Sequence, residues 1–180
     1  MSTLILYPIM TKPEKAEYDA YYEKYISLVD ENGLLQSLAA QPGELSELFN
    51  GVADEKGSYA YDAGKWTIKE VLSHLIDAER MFAYRVLRIS RGDTTPIEGF
   101  EQDGYIENAH AERRSIAELI GEFRLLREAN LLQLNNLDDK DWLRMGTASG
   151  LPVSVRALAY IMAGHVSHHV TILHNRYLVE

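Results

Sequence analysis

Apolar residues recur along this chain at helical spacing in four long stretches. The first runs from about Glu31 to Gly51, with Leu34, Leu35, Leu38, Leu45, Leu48 and Phe49 on one side. Pro42-Gly43 falls inside it, yet the apolar phase continues across the pair. That predicts one kinked helix rather than two separate ones. A shorter tyrosine-rich helix is expected before it, from Pro13 to about Leu28. The second long helix opens on Thr67-Ile68-Lys69-Glu70, a capping box, with Trp66 and Val71 placed as a hydrophobic staple. Ile68, Val71, Leu72, Leu75, Phe82 and Val86 carry its apolar face, and its end is expected near Arg91-Gly92. A second capping box, Ser115-Ile116-Ala117-Glu118, starts the third, which continues through Leu119, Ile120, Phe123, Leu126 and Leu134. The fourth begins near Val153-Ser154 and runs almost to the C-terminus.

Two polar connections separate the later helices. One extends from Gly92 to about Arg114 and contains Pro96, Gly99 and Gly104. Loops this long in compact domains are often functional, and this one could cover an end of the bundle. The other, Asp138 to Pro152, reads as a plain loop. No segment shows the alternation or β-branched runs of a multi-strand sheet, and no internal repeat is evident. The pattern therefore predicts an all-α protein. One domain over residues 1–180 is expected, with four long helices around a core, short accessory helices, and an irregular N-terminal arm over residues 1–12.

Charged residues inside the apolar faces need partners. Glu79 lies near the middle of the second helix's apolar arc, and Arg127 holds the equivalent place on the third. Either one buried alone would be costly, whereas a hydrogen-bonded pair is tolerable. A cross-helix pair that sets register is the expectation.

Histidines supply the candidate chemistry. His165 and His169 stand four apart in Gly164-His165-Val166-Ser167-His168-His169, near the centre of the fourth helix's apolar arc. Residues at i and i+4 share a helix face, so both imidazoles can reach one ion. A lone histidine on an apolar face is more often a hydrogen-bonded core residue. Two neighbouring imidazoles in a core, however, need something to satisfy their polar atoms, and a metal does so. His74, at the edge of the second helix's apolar face, can supply a third nitrogen. Taken alone it reads as a surface-flank residue. Three nitrogens leave a divalent ion with an open position, as catalytic zinc sites have. His168 sits beside the arc and either competes with His169 or supports it; His110 and His174 read as solvated.

Composition narrows the class. The chain has 180 residues and no cysteine, which excludes disulfides, thiolate nucleophiles and cysteine-based zinc sites. Its formal charge of −9, with no basic stripe, disfavours nucleic acid. The apolar run Leu4 to Met10 is interrupted by Pro8 and lacks a preceding basic residue. It is too short for a membrane span and wrongly flanked for a secretory signal, so a cytoplasmic protein without a membrane partner is expected.

The run Lys65-Trp66-Thr67-Ile68-Lys69-Glu70-Val71-Leu72-Ser73-His74-Leu75-Ile76-Asp77-Ala78-Glu79-Arg80 resembles the second helix of the DinB-like superfamily. So does Gly164 to His169, and the similarity extends through Phe82-Ala83-Tyr84-Arg85, Arg91-Gly92-Asp93 and Pro152 to Leu158. It covers nearly the whole chain, from about Glu17 to Tyr177. The resemblance implies an up-down-down-up four-helix bundle, usually a homodimer, with a divalent metal on three histidines. Its ligand positions match His74, His165 and His169. Relatives in that family include thiol-dependent S-transferases, the mycothiol-dependent maleylpyruvate isomerase, and proteins described as metal-dependent hydrolases. DNA binding is not implied.

Two classes of function follow. One is a metalloenzyme on a small-molecule substrate, with zinc or nickel activating water or a low-molecular-weight thiol. Imidazole suits several first-row metals, and the thiol, with no cysteine here, must be a cosubstrate. The general base is not identifiable; Asp77, Glu101 and Asp103 are candidates by proximity in sequence. The alternative is a non-catalytic binding or structural bundle with a static metal site. Tyr18, Tyr21, Tyr22 and Tyr25 fit either a dimer interface or a cap on the monomer core.

Overall fold

Thr67 and Ser115 start their helices as capping boxes require, each hydroxyl accepting the N3 amide while the N3 glutamate returns to the cap amide. In the computed structural model, which describes residues 11–31 and 33–178, the elements are α1 (Glu23–Ile26), α2 (Leu34–Leu48), α3 (Ile68–Ser90), α4 (Gln102–Glu107), α5 (Ile116–Leu134), α6 (Asp139–Trp142), strands β1 (Met145–Ala148) and β2 (Leu151–Ser154), and α7 (Val155–Ile172). Four of them, α2, α3, α5 and α7, are long. Most of the expected arm over residues 1–12 lies outside the described residues. Among the described residues no helix is long and apolar enough to cross a membrane.

α2 and α3 each pack against both α5 and α7, which places them on opposite corners of a four-helix ring. The direction of each helix follows from its ends. Asp54 bonds Lys69 Nζ at the start of α3 (2.7 Å) and the Ile116 amide at the start of α5 (2.7 Å). One residue thus ties two helix N-termini together, so α3 and α5 run in the same direction. The carboxylate also sits where orphan amides and the positive helix end favour an anion. α2 ends just before Asp54 in the chain. Tyr177, in a π turn (Leu173–Tyr177) that follows α7, donates its hydroxyl to Trp66 O just ahead of α3 (2.6 Å). α2 and α7 therefore run opposite to α3 and α5, giving up-down-down-up. Because the two middle helices are parallel, the chain must return along the bundle between them, and this explains the long connection after α3.

Three expectations need correction. The tyrosine-rich helix from Pro13 to Leu28 is instead two 3₁₀ turns, Lys15–Glu17 and Ala20–Tyr22, followed by the single turn α1. Tyr18 breaks it by bridging Val153 at the edge of β2, and its neighbour Glu17 bonds Ser154 (2.7 Å) and Arg156. These non-local partners outweigh local helix propensity. The loop after Asp138 holds α6 and an antiparallel hairpin, β1 paired with β2. Ser149 (φ 54°) and Gly150 (φ 77°) form its two-residue turn. Positive φ at both central positions is what such turns demand, and Ser-Gly was the available signal. The long polar connection likewise contains α4, and its Ile97 bridges Ala148 on the hairpin.

α2 passes through Pro42 without interruption. Proline has no amide to bond the carbonyl four residues back, which is Leu38 O. That oxygen accepts Arg127 Nη1 instead (3.0 Å). Arg127 also clasps Glu79 through Nε (2.7 Å) and Nη2 (2.8 Å), the cross-helix pair expected from the apolar arcs. Gln41 extends the network, accepting Arg127 Nη1 (2.6 Å) and donating to Ala163 O (2.7 Å) and Ser167 Oγ (3.1 Å). All four long helices meet here, and on α7 the contacts flank His165.

Candidate metal centre

His74 comes from the first half of α3, His165 from the middle of α7 and His169 from its last turn. α3 packs against α7, so the three rings face one another across one interface. Ring centroids are 4.9 Å apart for His74 and His165, 5.0 Å for His74 and His169, and 4.6 Å for His165 and His169. One nitrogen of each ring lies within 4.8 Å of the others. His74 Nε2 and His165 Nε2 stand 3.0 Å apart. Two nitrogens bound tetrahedrally to one zinc at 2.0–2.1 Å would be about 3.3 Å apart, so the cluster matches the demand of a shared ion with small adjustment.

The electrostatics suit ligation. His74 is 3% exposed, not the surface-flank residue its helix-wheel position suggested when taken alone. Burial pushes its pKa down to about 4, opposed by the negative charge of Asp103. Burial pushes His169 down to about 3, with the neighbouring His74 and His168 adding to the effect. His165, 6% exposed, is pushed well below the ordinary range by burial first and then by His169, His74 and His168. Three neutral imidazoles at neutral pH keep lone pairs for a metal. The donor set and spacing both fit a divalent ion.

The surroundings are aromatic. Trp66 stacks at a tilt on His74 (4.9 Å), while Phe82 (5.7 Å) and Tyr25 (5.4 Å) present edges to His165. His168 is outside the cluster and packs edge-on against Tyr25 (5.5 Å), a supporting place rather than a competing one. Gly164 decides how close Tyr25 comes. A Cβ there would stand 2.0 Å from Tyr25 O, so only glycine admits the α1 backbone beside His165. Its role in the Gly164–His169 run was not legible from spacing.

Two cavities reach the cluster. One, of about 420 Å³, is lined by His74 and His165 together with Tyr22, Phe82, Arg85 and Ser149. The other, of about 320 Å³, is lined by His169, Trp66, Asp103 and Tyr177. Tyr21, Tyr22 and Tyr25 all line the first, and Tyr18 is buried against Glu23 (2.7 Å). Within one chain the tyrosines therefore serve the core and the cavity. Of the acidic candidates, Glu101 lines the first cavity and Asp103 the second. Asp77 opens instead onto a different depression beside Arg80, where burial raises its carboxyl pKa. Arg85 and Ser149 escaped sequence reasoning. Arg85 lies eleven residues after His74, on the same stripe of α3, and only the hairpin turn brings Ser149 to it.

A model of the DinB superfamily matches residues 37–173. Among solved structures, the chain is similar to YfiT from Bacillus subtilis, described as a probable metal-dependent hydrolase with an unusual four-helix bundle topology. The TM-score is 0.72 at 18% identity, covering 90% of this chain and 89% of that one. No curated protein matches the chain at a significant level.

Proposed function

The chain belongs to the DinB superfamily, and on that premise we propose that it is a metal-dependent enzyme acting on a small molecule. His74, His165 and His169 hold a divalent ion, zinc or nickel. Such an ion, with three protein ligands and one open position, supplies Lewis acidity to water in a hydrolase or to a low-molecular-weight thiol in a transferase. The observation that carries this reading is access: a cavity of about 420 Å³ runs to His74 and His165. A static tie between helices would need no such opening, because apolar packing already joins α3 to α7.

The chain's own residues divide the work. The imidazoles offer neutral nitrogens from two rigid helices. Trp66 and Phe82 shield the ring faces from bulk water. Asp103 is the acidic group best placed to take a proton, since it lines the cavity at His169 and its charge acts on His74. The similarity to YfiT, a probable metal-dependent hydrolase, favours the hydrolase form, and a thiol cosubstrate is the second form of the same site.

Elemental analysis tests the proposal. The purified protein should carry about one divalent ion per chain. His169→Ala should lose it while keeping its helical circular dichroism, because helical stability comes mainly from apolar packing. Wild-type protein without metal after growth in metal-replete medium would refute the site. A hydrolysis and thiol-conjugation screen then assigns the reaction, and Asp103→Asn should lower it about 10²–10⁴-fold if Asp103 moves the proton. Homodimerisation belongs to the same proposal. Sedimentation at the 20.4 kDa monomer mass would remove it.

A further inference from the structure

Arg85 is a buried cation at one end of the cavity that reaches His74 and His165. The residue is 3% exposed, and among the described residues no carboxylate forms an ion pair with it. Its Nη2 donates to Ser149 Oγ (2.8 Å) and more distantly to Glu98 O (3.5 Å), while its buried Nε has no partner among the described residues. Phe82 lies under the guanidinium, 6.0 Å from ring centre to Cζ, and the Tyr22 hydroxyl sits beside Arg85 and Ser149. Arg127, fully buried among the four long helices, shows the contrast, since Glu79, Gln41 and Leu38 O take up its donors. A desolvated, underbonded guanidinium is costly unless something completes it.

What could complete it is set by where it lies. Arg85 lines the same cavity as His74 and His165. Eleven residues of α3 separate it from His74, about 16 Å along the helix axis. The walls between are largely aromatic, with Tyr22, Tyr25, Phe82 and Phe100. Lys24 rests on the rings of Tyr21 (4.0 Å) and Tyr25 (4.9 Å), two tyrosines of the lining, and Glu101 also lines the cavity. These two charges offset each other and leave Arg85 as the net cation. We propose that Arg85, with Ser149 and Tyr22, forms an anion subsite, and that the cavity's ligand is a small molecule with an aromatic or apolar body and a single carboxylate seated on that guanidinium. A guanidinium pairs with a carboxylate through two parallel N–H donors. A single net cation balances a monoanion better than a dianionic phosphate. The inference rests on reading this cavity as the substrate site, but the subsite itself needs no metal.

The test uses benzoate and its neutral isostere benzamide, titrated into purified protein near neutral pH and followed by calorimetry. Benzoate should bind about ten- to a hundredfold tighter than benzamide, the range for a hydrogen bond to a charged group. Arg85→Gln should abolish that preference, leaving benzamide binding and metal content unchanged, while Arg85→Lys should keep only part of it. His169→Ala, whose side chain does not line this cavity, separates the two ideas. Preference for benzoate that survives in the metal-free variant places the anion on Arg85. If it vanishes with the metal, the histidine centre holds the carboxylate and the subsite is refuted. Equal binding of the two probes to the wild type refutes it as well, without reliance on any variant's folding. Wild-type protein that lacks metal yet prefers benzoate would overturn the metal proposal and leave this one standing.

Discussion

Arg127→Met should destabilise the protein by about 3–5 kcal/mol, the usual cost of removing one partner from a buried ion pair. Arg127 is fully buried and the Glu79 side chain is 1% exposed. After the substitution Glu79 would keep only the bond from Asn130 Nδ2 (2.8 Å). Leu38 O, left open by Pro42, and Gln41 Oε1 would also lose a donor. Each unsatisfied buried acceptor adds to the loss. The paired substitution Glu79→Leu with Arg127→Met should recover most of the stability, since apolar side chains of similar volume often replace a buried pair at little cost. Urea denaturation measures both. A single variant within about 1 kcal/mol of the wild type would mean that the pair is not what holds the helices in register.

Acid should loosen the metal-free protein through its histidines. The folded state keeps His74 neutral down to about pH 4 and His169 down to about pH 3, and it depresses His165 as well. In the unfolded chain all three protonate near pH 6.5. Below pH 6.5 the unfolded state therefore binds more protons than the folded one, so stability is complete above that value and falls as the pH drops toward 4. The slope is about 1.4 kcal/mol per pH unit for each histidine. Denaturation midpoints of chelator-treated protein, taken between pH 7 and pH 5, should show the decline. His165→Asn should make it shallower. A midpoint that stays constant over that range would contradict the buried neutral cluster. Metal should delay the decline, since protons and the ion compete for the same nitrogens.

How much of this was legible beforehand depended on whether the signal was local. Capping boxes at Thr67 and Ser115 are contacts within four residues, so sequence alone located both helix starts. Glu79 and Arg127 were recognisable as partners because a charge at the centre of an apolar arc has few affordable alternatives. The tyrosine segment misled. Its local propensity is helical, but Tyr18 and Glu17 find better partners on β2 and α7, over 130 residues away. The hairpin was missed for a related reason. Two four-residue strands carry too little alternation to register, although Ser149-Gly150 marked the turn.

By itself, the sequence determined the helical periodicities, the caps, the absence of cysteine and the spacing of His165 and His169, because each of these is a property of neighbours along one chain. His74 was a possible third nitrogen on another apolar-periodic segment, and the family resemblance matched it to a ligand position. Tertiary structure alone decided that the three rings meet, since an angle on a helix wheel says which way a side chain points and not what it faces. It also decided that Gly164 admits the Tyr25 backbone, that Leu38 O is satisfied from α5, and that Arg85 remains underbonded at the end of a cavity shared with His74. Each of those depends on groups distant in sequence whose approach is set by the packing of whole helices.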